Sequence, residues 1–254
     1  MKISIAIPSY KRPKVKTLEY IPDARVYICE SEYDEYKDAN KKIELVSMPK
    51  GVQGNIARVR NYIIKQELTE NDSVCIVDDD MDFIGYFENK KLVKFKTDEI
   101  RPFLEKYTLL CQDFGFYMWG LNVNTDKQCY REYTPFSTLS FVGAPFTVTL
   151  KGNNCWYDER IPLKEDYDMT IQQINKNRGI LRLNKFCYQV KQSKQTGGCA
   201  LYRNIEREEQ QLRELQKKWG KRIVKVDMND RSHRNVQKKN TDYNPIIKVP
   251  IRGV

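Results

Sequence analysis

Four carboxylates within five residues follow directly on a short apolar run. The run, residues 74–77, is β-branched and continuous, which is typical of a buried strand. Asp78, Asp79 and Asp80 then stand side by side, with Asp82 two residues further on. Because adjacent carboxylates repel one another, this pattern favours a bound cation, and Mg²⁺ or Mn²⁺ prefers such oxygen ligands. A solvated acidic turn that caps the next element is the alternative interpretation.

A second acidic cluster spans residues 157–168 and contains Glu165 and Asp166, where a helical pattern begins. Acidic side chains at the start of a helix are expected from capping and from the helix macrodipole. Residues 195–199 form another candidate segment, rich in small side chains. That segment is interpreted as a phosphate-binding loop, as a lid or as a plain turn.

Strands and helices alternate along the first third of the chain. Strands are predicted at residues 3–7, 25–29, 43–46 and 74–77, with helices between them at residues 14–20, 33–41 and 55–66. The pattern continues with strands at residues 116–123 and 137–149 and with helices at residues 100–111, 166–175 and 206–219. This order predicts an α/β fold with a largely parallel sheet and helices on both faces. Ligands of such sheets bind beyond the carboxyl ends of the strands, where the acidic run lies.

Composition narrows the class of protein. The 254 residues carry 44 basic and 34 acidic side chains, a net charge of +10, so a polyanion or a phosphorylated substrate is an expected partner. Seven cysteines without a CxxC pair favour reduced thiols and argue against a disulfide framework or a zinc site. The apolar runs are too short for a signal peptide or a membrane span, so we expect a soluble, cytoplasmic protein without a transmembrane segment.

The expected organisation is one main domain with a charged C-terminal extension. Residues 1–200 are assigned to the domain, which is divided at residue 90 into two halves. Residues 201–254 are expected to form a charged helix and a basic tail that pack on the same domain. The tail contains His233, the single histidine, between Arg231 and Arg234.

The order of the motifs carries a resemblance to a known family. These motifs are Pro-Ser-Tyr-Lys-Arg-Pro at residues 8–13, Gly-Asn-Ile-Ala-Arg-Val-Arg-Asn at 54–61, Val-Asp-Asp-Asp at 77–80 and the acidic cluster that ends in Glu-Asp. Together, over residues 3–175, they resemble the GT-A fold glycosyltransferases, which use nucleotide-diphospho-sugars. The resemblance implies a Rossmann-like, mostly parallel sheet with flanking helices, a hexosyl- or pentosyltransferase activity, Mn²⁺ or Mg²⁺ as cofactor and a donor that is most often a UDP-sugar.

The resemblance also implies that residues 1–200 are a catalytic domain, with a nucleotide-sugar-binding half at residues 1–90 and an acceptor-side half at residues 91–200. It further implies roles for individual residues. Asp80 corresponds to the direct metal ligand, with Asp78 beside it, whereas Asp82 falls past the motif and is expected to be structural. The residues implied in donor binding are Pro8, Ser9, Tyr10, Arg12, Glu30, Arg58, Arg60, Asp78 and Asp79. Many family members supply a further histidine ligand after the Glu-Asp motif. Residues 186–192 contain no histidine, so His233 is the remaining candidate, with an exposed surface position as the alternative.

The acceptor hydroxyl requires a general base, and a carboxylate suits that role. Asp166 is the predicted base and Glu165 the second choice. An inverting mechanism would follow from that assignment.

The acceptor itself is suggested by a looser resemblance. Residues 7–13, 27–36, 56–64 and 194–199 are similar to the TET-associated and base-J-type DNA glycosyltransferases found in phages and kinetoplastids. This similarity implies a hydroxymethylated pyrimidine in DNA as the acceptor. The residues proposed to contact acceptor or nucleic acid are Trp119, Lys191, Lys194, Arg231 and Arg234, with core packing as the alternative for Trp119. A transferase for a surface polysaccharide, lipid or protein glycan and a non-catalytic nucleotide-sugar-binding relative remain alternatives.

Overall fold

A large mixed sheet with flanking helices forms the centre of the protein. The computed structural model describes residues 1–40, 43–126, 130–190, 197–226 and 243–249. The strands are β1 (Ile3–Pro8), β2 (Arg25–Cys29), β3 (Glu44–Met48), β4 (Ser73–Val77), β5 (Met81–Glu88), β6 (Lys91–Lys94), β7 (Met118–Asn122), β8 (Phe136–Ser137), β9 (Phe146–Leu150), β10 (Leu181–Val190), β11 (Val224–Val226) and β12 (Pro245–Ile247). The α-helices are α1 (Tyr33–Ala39), α2 (Ile56–Glu70), α3 (Thr97–Asp113), α4 (Glu165–Asn177) and α5 (Ile205–Trp219).

The first half of the sheet is parallel. The strands of the main sheet lie in the order β3-β2-β1-β4-β9-β7-β10-β5-β6, with β8 paired to β10. β1 runs parallel to both β2 and β4, and β2 runs parallel to β3. The carboxyl ends of these four strands therefore meet at one edge, as the alternating pattern predicts.

The second half of the sheet mixes strand directions. β9 runs antiparallel to β4 and to β7, while β10 pairs in parallel with β7 and in antiparallel with β5. Only three residues join β4 to β5, but the two strands are not neighbours, since β5 pairs in antiparallel with β10 and β6. The predicted α/β class is confirmed, with parallel pairing concentrated in the first half. β5, β6 and β10 were not predicted.

Alternation along the strands divides the core into two apolar layers. Ile5 and Ile7 of β1 pack in one cluster with Trp119, while Ala6 joins the other cluster with Ile63 of α2. Successive side chains of a strand point to opposite faces, so helices are needed on both sides of the sheet. A third, smaller cluster joins α4, α5 and β11. In the described part of the chain, no helix combines the length and apolar character that a membrane crossing requires.

Two predicted elements are altered by local chemistry. The helix expected at residues 14–20 is a single 3₁₀ turn at Lys16–Glu19, preceded by a proline at residue 13. The strand expected at residues 137–149 is interrupted around Gly143 and Pro145, leaving only β8 and β9. Proline lacks the backbone donor that a central strand requires, which explains the break.

Trp119 lies in the centre of the first apolar layer and is 0 % exposed. Its ring contacts Phe103 and Phe146, and its Nε1 donates a hydrogen bond to Thr108 Oγ1 at 3.1 Å. A side chain enclosed in this way offers no face to a base. The proposed contact of Trp119 with acceptor or nucleic acid was therefore wrong.

Replacing Trp119 tests this core assignment. We expect Trp119→Ala to lower the free energy of unfolding by about 3–5 kcal/mol, because it leaves a cavity in the layer. Trp156→Ala is the control, since that ring is 37 % exposed and is expected to cost about 1 kcal/mol or less. Urea unfolding followed by circular dichroism measures both. Equal losses in the two variants would contradict the core role.

Candidate active site

A cleft of about 250 Å³ opens where β1 and β4 end. Four segments contribute to its lining: the end of β1 and the following loop, the start of α2, the first two aspartates of the acidic run, and the glycine-rich segment. The lining residues are Pro8, Ser9, Tyr10, Arg12, Gln53, Gly54, Asn55, Ile56, Val59, Arg60, Asp78, Asp79, Gly198, Cys199, Leu201 and Tyr202. Of the residues predicted to bind the donor, the cleft brings together Pro8, Ser9, Tyr10, Arg12, Arg60, Asp78 and Asp79.

Asp79 joins the acidic run to the loop after β1. Ser9 Oγ donates to Asp79 Oδ2 at 2.5 Å, and Arg12 Nη1 donates to Asp79 Oδ1 at 2.9 Å. Ser9 Oγ also lies 2.7 Å from the hydroxyl of Tyr36, which anchors α1 to the same place. Asp79 is 6 % exposed, and this burial raises the pKa of its carboxyl group, against the opposing charge of Arg12. Both carboxylate oxygens therefore already accept hydrogen bonds from the protein.

Asp80 carries negative charge with little compensation from its surroundings. Arg12 Nη1 lies 3.4 Å from Asp80 Oδ2, and this same guanidinium also serves Asp79. Burial, followed by the charges of Asp78 and Asp79, raises the pKa of Asp80 to about 7. A carboxyl group with such a raised pKa marks a place where a cation would be favourable.

Arg60 ties the acidic run to the start of α4. The side chain is 3 % exposed, with Nη2 2.9 Å from Asp78 Oδ1 and Nη1 2.5 Å from Glu165 Oε1. Its pKa is raised by the charges of Asp78 and Glu165, which outweigh its desolvation. The two predicted acidic motifs, 87 residues apart in sequence at Asp78 and Glu165, thus share one buried guanidinium.

The two carboxylates at the start of α4 have different surroundings. Glu165 is 7 % exposed and bound to Arg60; burial and then the charge of Asp166 raise its pKa to about 7. Asp166 is only half-buried, and the backbone N–H of Tyr167 donates to its Oδ1 at 2.8 Å. Burial also raises the pKa of Asp166, while the charges of Lys164 and Arg60 oppose that rise.

The charges fit a divalent cation held jointly with a ligand. Within the described ranges, no group of three or more His, Cys, Asp or Glu side chains is arranged to hold a metal alone. Mg²⁺ and Mn²⁺, however, are commonly held by one or two carboxylates together with substrate phosphates. Asp78 and Asp80 provide that minimum beside the cleft.

Several predicted site residues lie elsewhere. Arg58 pairs with Glu159 at 2.8 Å and donates to the carbonyl of Gly51, and it does not line the cleft. Glu30 is exposed at the start of a 3₁₀ turn, also outside the cleft. Asp82 pairs with Lys16, in keeping with a structural role. The remaining predicted residues, Lys191, Lys194, Arg231, His233 and Arg234, lie outside the described residues.

The glycine-rich segment forms a wall of the cleft. Gly198 N–H donates to the carbonyl of Tyr10 at 3.1 Å, and Arg12 Nη2 donates to the carbonyl of Gly197 at 3.3 Å. Gly197 has φ +103°, and a Cβ there would lie 2.8 Å from the Tyr10 carbonyl oxygen. Paired glycines were the one sequence signal for this wall; Leu201, which continues it, gave none.

Substitution of Gly197 tests how tightly this wall is fitted. Gly197→Ala combines backbone strain with a collision against two carbonyl oxygens, whereas Gly51→Ala, at φ +94° with open space around its Cβ, reports strain alone. Strain of this kind costs about 1–3 kcal/mol. We expect Gly197→Ala to lower the thermal unfolding midpoint several degrees more than Gly51→Ala, measured by calorimetry. Equal shifts of the midpoint in the two variants would show that the cleft wall moves to accommodate the added Cβ atom.

Comparison with known proteins gives matches at the level of structure. No protein-family model and no curated protein matches the sequence. Two structures of glucosyl-3-phosphoglycerate synthase from Mycobacterium tuberculosis match 76 % of this chain with a TM-score of 0.50. Their identities are 10 % and 11 %, and the match covers 73 % and 72 % of those chains. One contains Mn²⁺, UDP-glucose and phosphoglyceric acid, the other Mn²⁺, UDP and phosphoglyceric acid.

A further match, residues 1–349 of TarS from S. aureus, shares 15 % identity over 74 % of this chain, with a TM-score of 0.47. This chain spans 59 % of the length of that relative. At such identities the similarity concerns the fold, and it does not bear on the looser resemblance to DNA glycosyltransferases. The fold that the motif order implied is confirmed: the chain has the GT-A-type fold of nucleotide-sugar glycosyltransferases.

Proposed function

We propose that this protein transfers a sugar from a nucleotide-diphospho-sugar, foremost a UDP-sugar, to a hydroxyl acceptor with the help of Mn²⁺ or Mg²⁺. The observation that carries the proposal is the guanidinium of Arg60, which holds Asp78 and Glu165 together at the edge of the cleft. Arg60 and Asp78 line the cleft, while Asp80, Glu165 and Asp166 lie outside its lining. The ion pair between Arg60 and Glu165 nevertheless joins the phosphate-binding and metal-binding chemistry of the cleft to the start of α4, where carboxylates are available for proton transfer.

The donor fits the cleft beside α2. Arg12 and Arg60 both line it and offer charge-assisted hydrogen bonds to phosphate oxygens. The start of α2, a helix of 15 residues, lines the same space through Gly54, Asn55 and Ile56. Backbone N–H groups at a helix start favour negative charge, which supports a diphosphate at this position.

Asp78 and Asp80 are the residues that would hold the metal. Asp79 is less suited, because both of its oxygens accept hydrogen bonds from Ser9 and Arg12. When bound, a divalent cation stabilises the negative charge that develops on the leaving diphosphate. Around that position the protein itself contributes the two guanidinium groups and a partly buried, low-dielectric wall.

Asp166 is the better placed of the two carboxylates for the base. Glu165 is held by Arg60 and nearly enclosed, whereas Asp166 is half-buried. In the proposed step the acceptor oxygen forms a bond to the anomeric carbon, and the bond from that carbon to the diphosphate oxygen breaks. The diphosphate leaves with the electron pair, and the acceptor proton moves to a carboxylate oxygen of Asp166.

For the acceptor we propose a hydroxymethylated pyrimidine in DNA. The support is the net charge of +10, which favours a polyanionic partner, together with the sequence resemblance. The decisive assay supplies radiolabelled UDP-sugars with hydroxymethylated DNA, unmodified DNA or a glycan. Incorporation into hydroxymethylated DNA alone is expected. Incorporation into the glycan alone would show that the acceptor is a glycan and not DNA. No incorporation from any donor would refute the proposed transferase activity.

The metal assignment is tested by Asp80→Asn. We expect at least a 100-fold loss of metal-dependent donor hydrolysis or transfer, because the ligand to the cation is weakened. Asp82→Asn, which alters a carboxylate two residues away that pairs with Lys16, is the matched control and should retain activity. Calorimetric titration of UDP with and without Mn²⁺ should show metal-dependent binding in the control only. Full activity of Asp80→Asn would remove it as a ligand.

The base assignment is tested by Asp166→Asn. This isosteric change should preserve donor binding and reduce transfer by roughly 100- to 10,000-fold, the usual contribution of a general base. Glu165→Gln is compared alongside it and is expected to affect stability as well, since Arg60 loses a charged partner. Steady-state kinetics measure the loss of transfer, and titration with UDP measures donor binding. Unchanged turnover in Asp166→Asn would exclude this residue as the base.

A further inference from the structure

The C-terminal helix α5 reaches the segment that carries the proposed base. Glu208 lies in the first turn of α5 and is 1 % exposed. Its carboxylate forms an ion pair with the ammonium group of Lys164, which is 2 % exposed, and lies 3.1 Å from Arg203 Nε. Lys164 immediately precedes Glu165 and occupies the N-cap of α4.

A lysine at that position has little justification as a packing residue. A positive charge is unfavourable at the start of a helix, because the macrodipole already places positive charge there. Burying an ammonium group is costly, and a buried ion pair is often no more stable than an apolar pair of similar volume. The Lys164–Glu208 pair therefore calls for an explanation other than stability.

We propose that Glu208 is a positioning residue for Asp166: by holding the Lys164 ammonium group in place, it maintains a positive charge at the start of α4, two residues before the proposed base. This inference rests on the proposed function, in which Asp166 accepts the acceptor proton. The contact is indirect, because Glu208 acts through Lys164. Nothing in the proposed reaction requires Glu208 to touch a substrate.

The charges around Asp166 give the expected direction. Among the residues that the structure describes, Lys164 and Arg60 are positive groups that act on Asp166, while Glu165, Tyr157 and Tyr188 are titratable groups that Asp166 influences. Of these two charges, that of Lys164 has the larger effect in opposing the burial-induced rise in the Asp166 pKa. Without Glu208 the buried ammonium group loses its partner and is expected to move away from this position. The Asp166 pKa should then rise further, and the base should become active only at higher pH.

Other contacts keep α5 in place when Glu208 is changed. Lys218 Nζ lies 2.8 Å from both Asp158 and Asp168, and Trp219 Nε1 donates to Asp168 Oδ1 at 2.7 Å. Gln211 Oε1 accepts from the N–H of Leu163 at 2.6 Å. A single substitution at Glu208 is therefore expected to leave the helix docked.

The test compares Glu208→Gln with Glu209→Gln, a change at the next residue, whose partly exposed side chain pairs with Arg213. Carboxyl ¹³C NMR titration, with the Asp166 signal assigned from Asp166→Asn, should show its midpoint about one pH unit higher in Glu208→Gln and unchanged in Glu209→Gln. The acidic limb of the pH–rate profile should move in the same direction, with kcat lowered and the donor KM retained. An unmoved Asp166 midpoint in Glu208→Gln would overturn the proposal.

A double variant separates positioning from packing. Lys164→Met with Glu208→Leu replaces the ion pair by apolar side chains, so thermal stability should remain near that of the wild type. The Asp166 midpoint should nevertheless stay high and kcat stay low; recovery of wild-type values of both would show that the pair only fills space. If the wild type transfers no sugar from any donor, the proposed function fails, while the NMR titration still decides whether Glu208 acts on Asp166.

Discussion

The guanidinium of Arg60 is the interaction on which the rest of the site depends. It is buried at 3 % exposure and bonded to Asp78 at the end of β4 and to Glu165 at the start of α4. Three elements distant in sequence are fixed by this one group. Removing one partner of a buried charge costs about 3–5 kcal/mol, because the other is left uncompensated. The acidic run and the helix start therefore cannot move independently without a large loss.

This constraint also accounts for much of what could be predicted from the sequence. β1, β2 and β4 carry continuous apolar runs, and a local signal of that kind is sufficient to place them and the acidic run at one sheet edge. The helical pattern of α2 also indicates which of Arg58 and Arg60 faces the interior of the protein. Arg60 follows Ile56 by four residues and shares the buried face of α2, whereas Arg58 projects toward Glu159 on the surface.

Other features of the site cannot be predicted from a local sequence pattern. One of the contacts between α5 and the start of α4 is an ion pair between a lysine and a glutamate 44 residues apart, and a charged helix such as α5 is more simply interpreted as a solvated one. Leu201 and Tyr202 reach the cleft only because Gly197 and Gly198 bring the chain against the Tyr10 carbonyl. Such arrangements arise from tertiary contacts, which periodicity along a single segment cannot encode.

The balance of charge at the cleft sets what this site can bind. Arg12 and Arg60 supply two positive charges beside the carboxylates of Asp78, Asp79, Asp80 and Glu165. The excess of negative charge is local, since the chain as a whole carries a net charge of +10. In a partly buried site such an excess is poorly screened, and the raised pKa of Asp80 expresses that cost. A diphosphate alone would add to it. A diphosphate that enters together with a divalent cation would not, which is why the donor proposal and the metal proposal require each other.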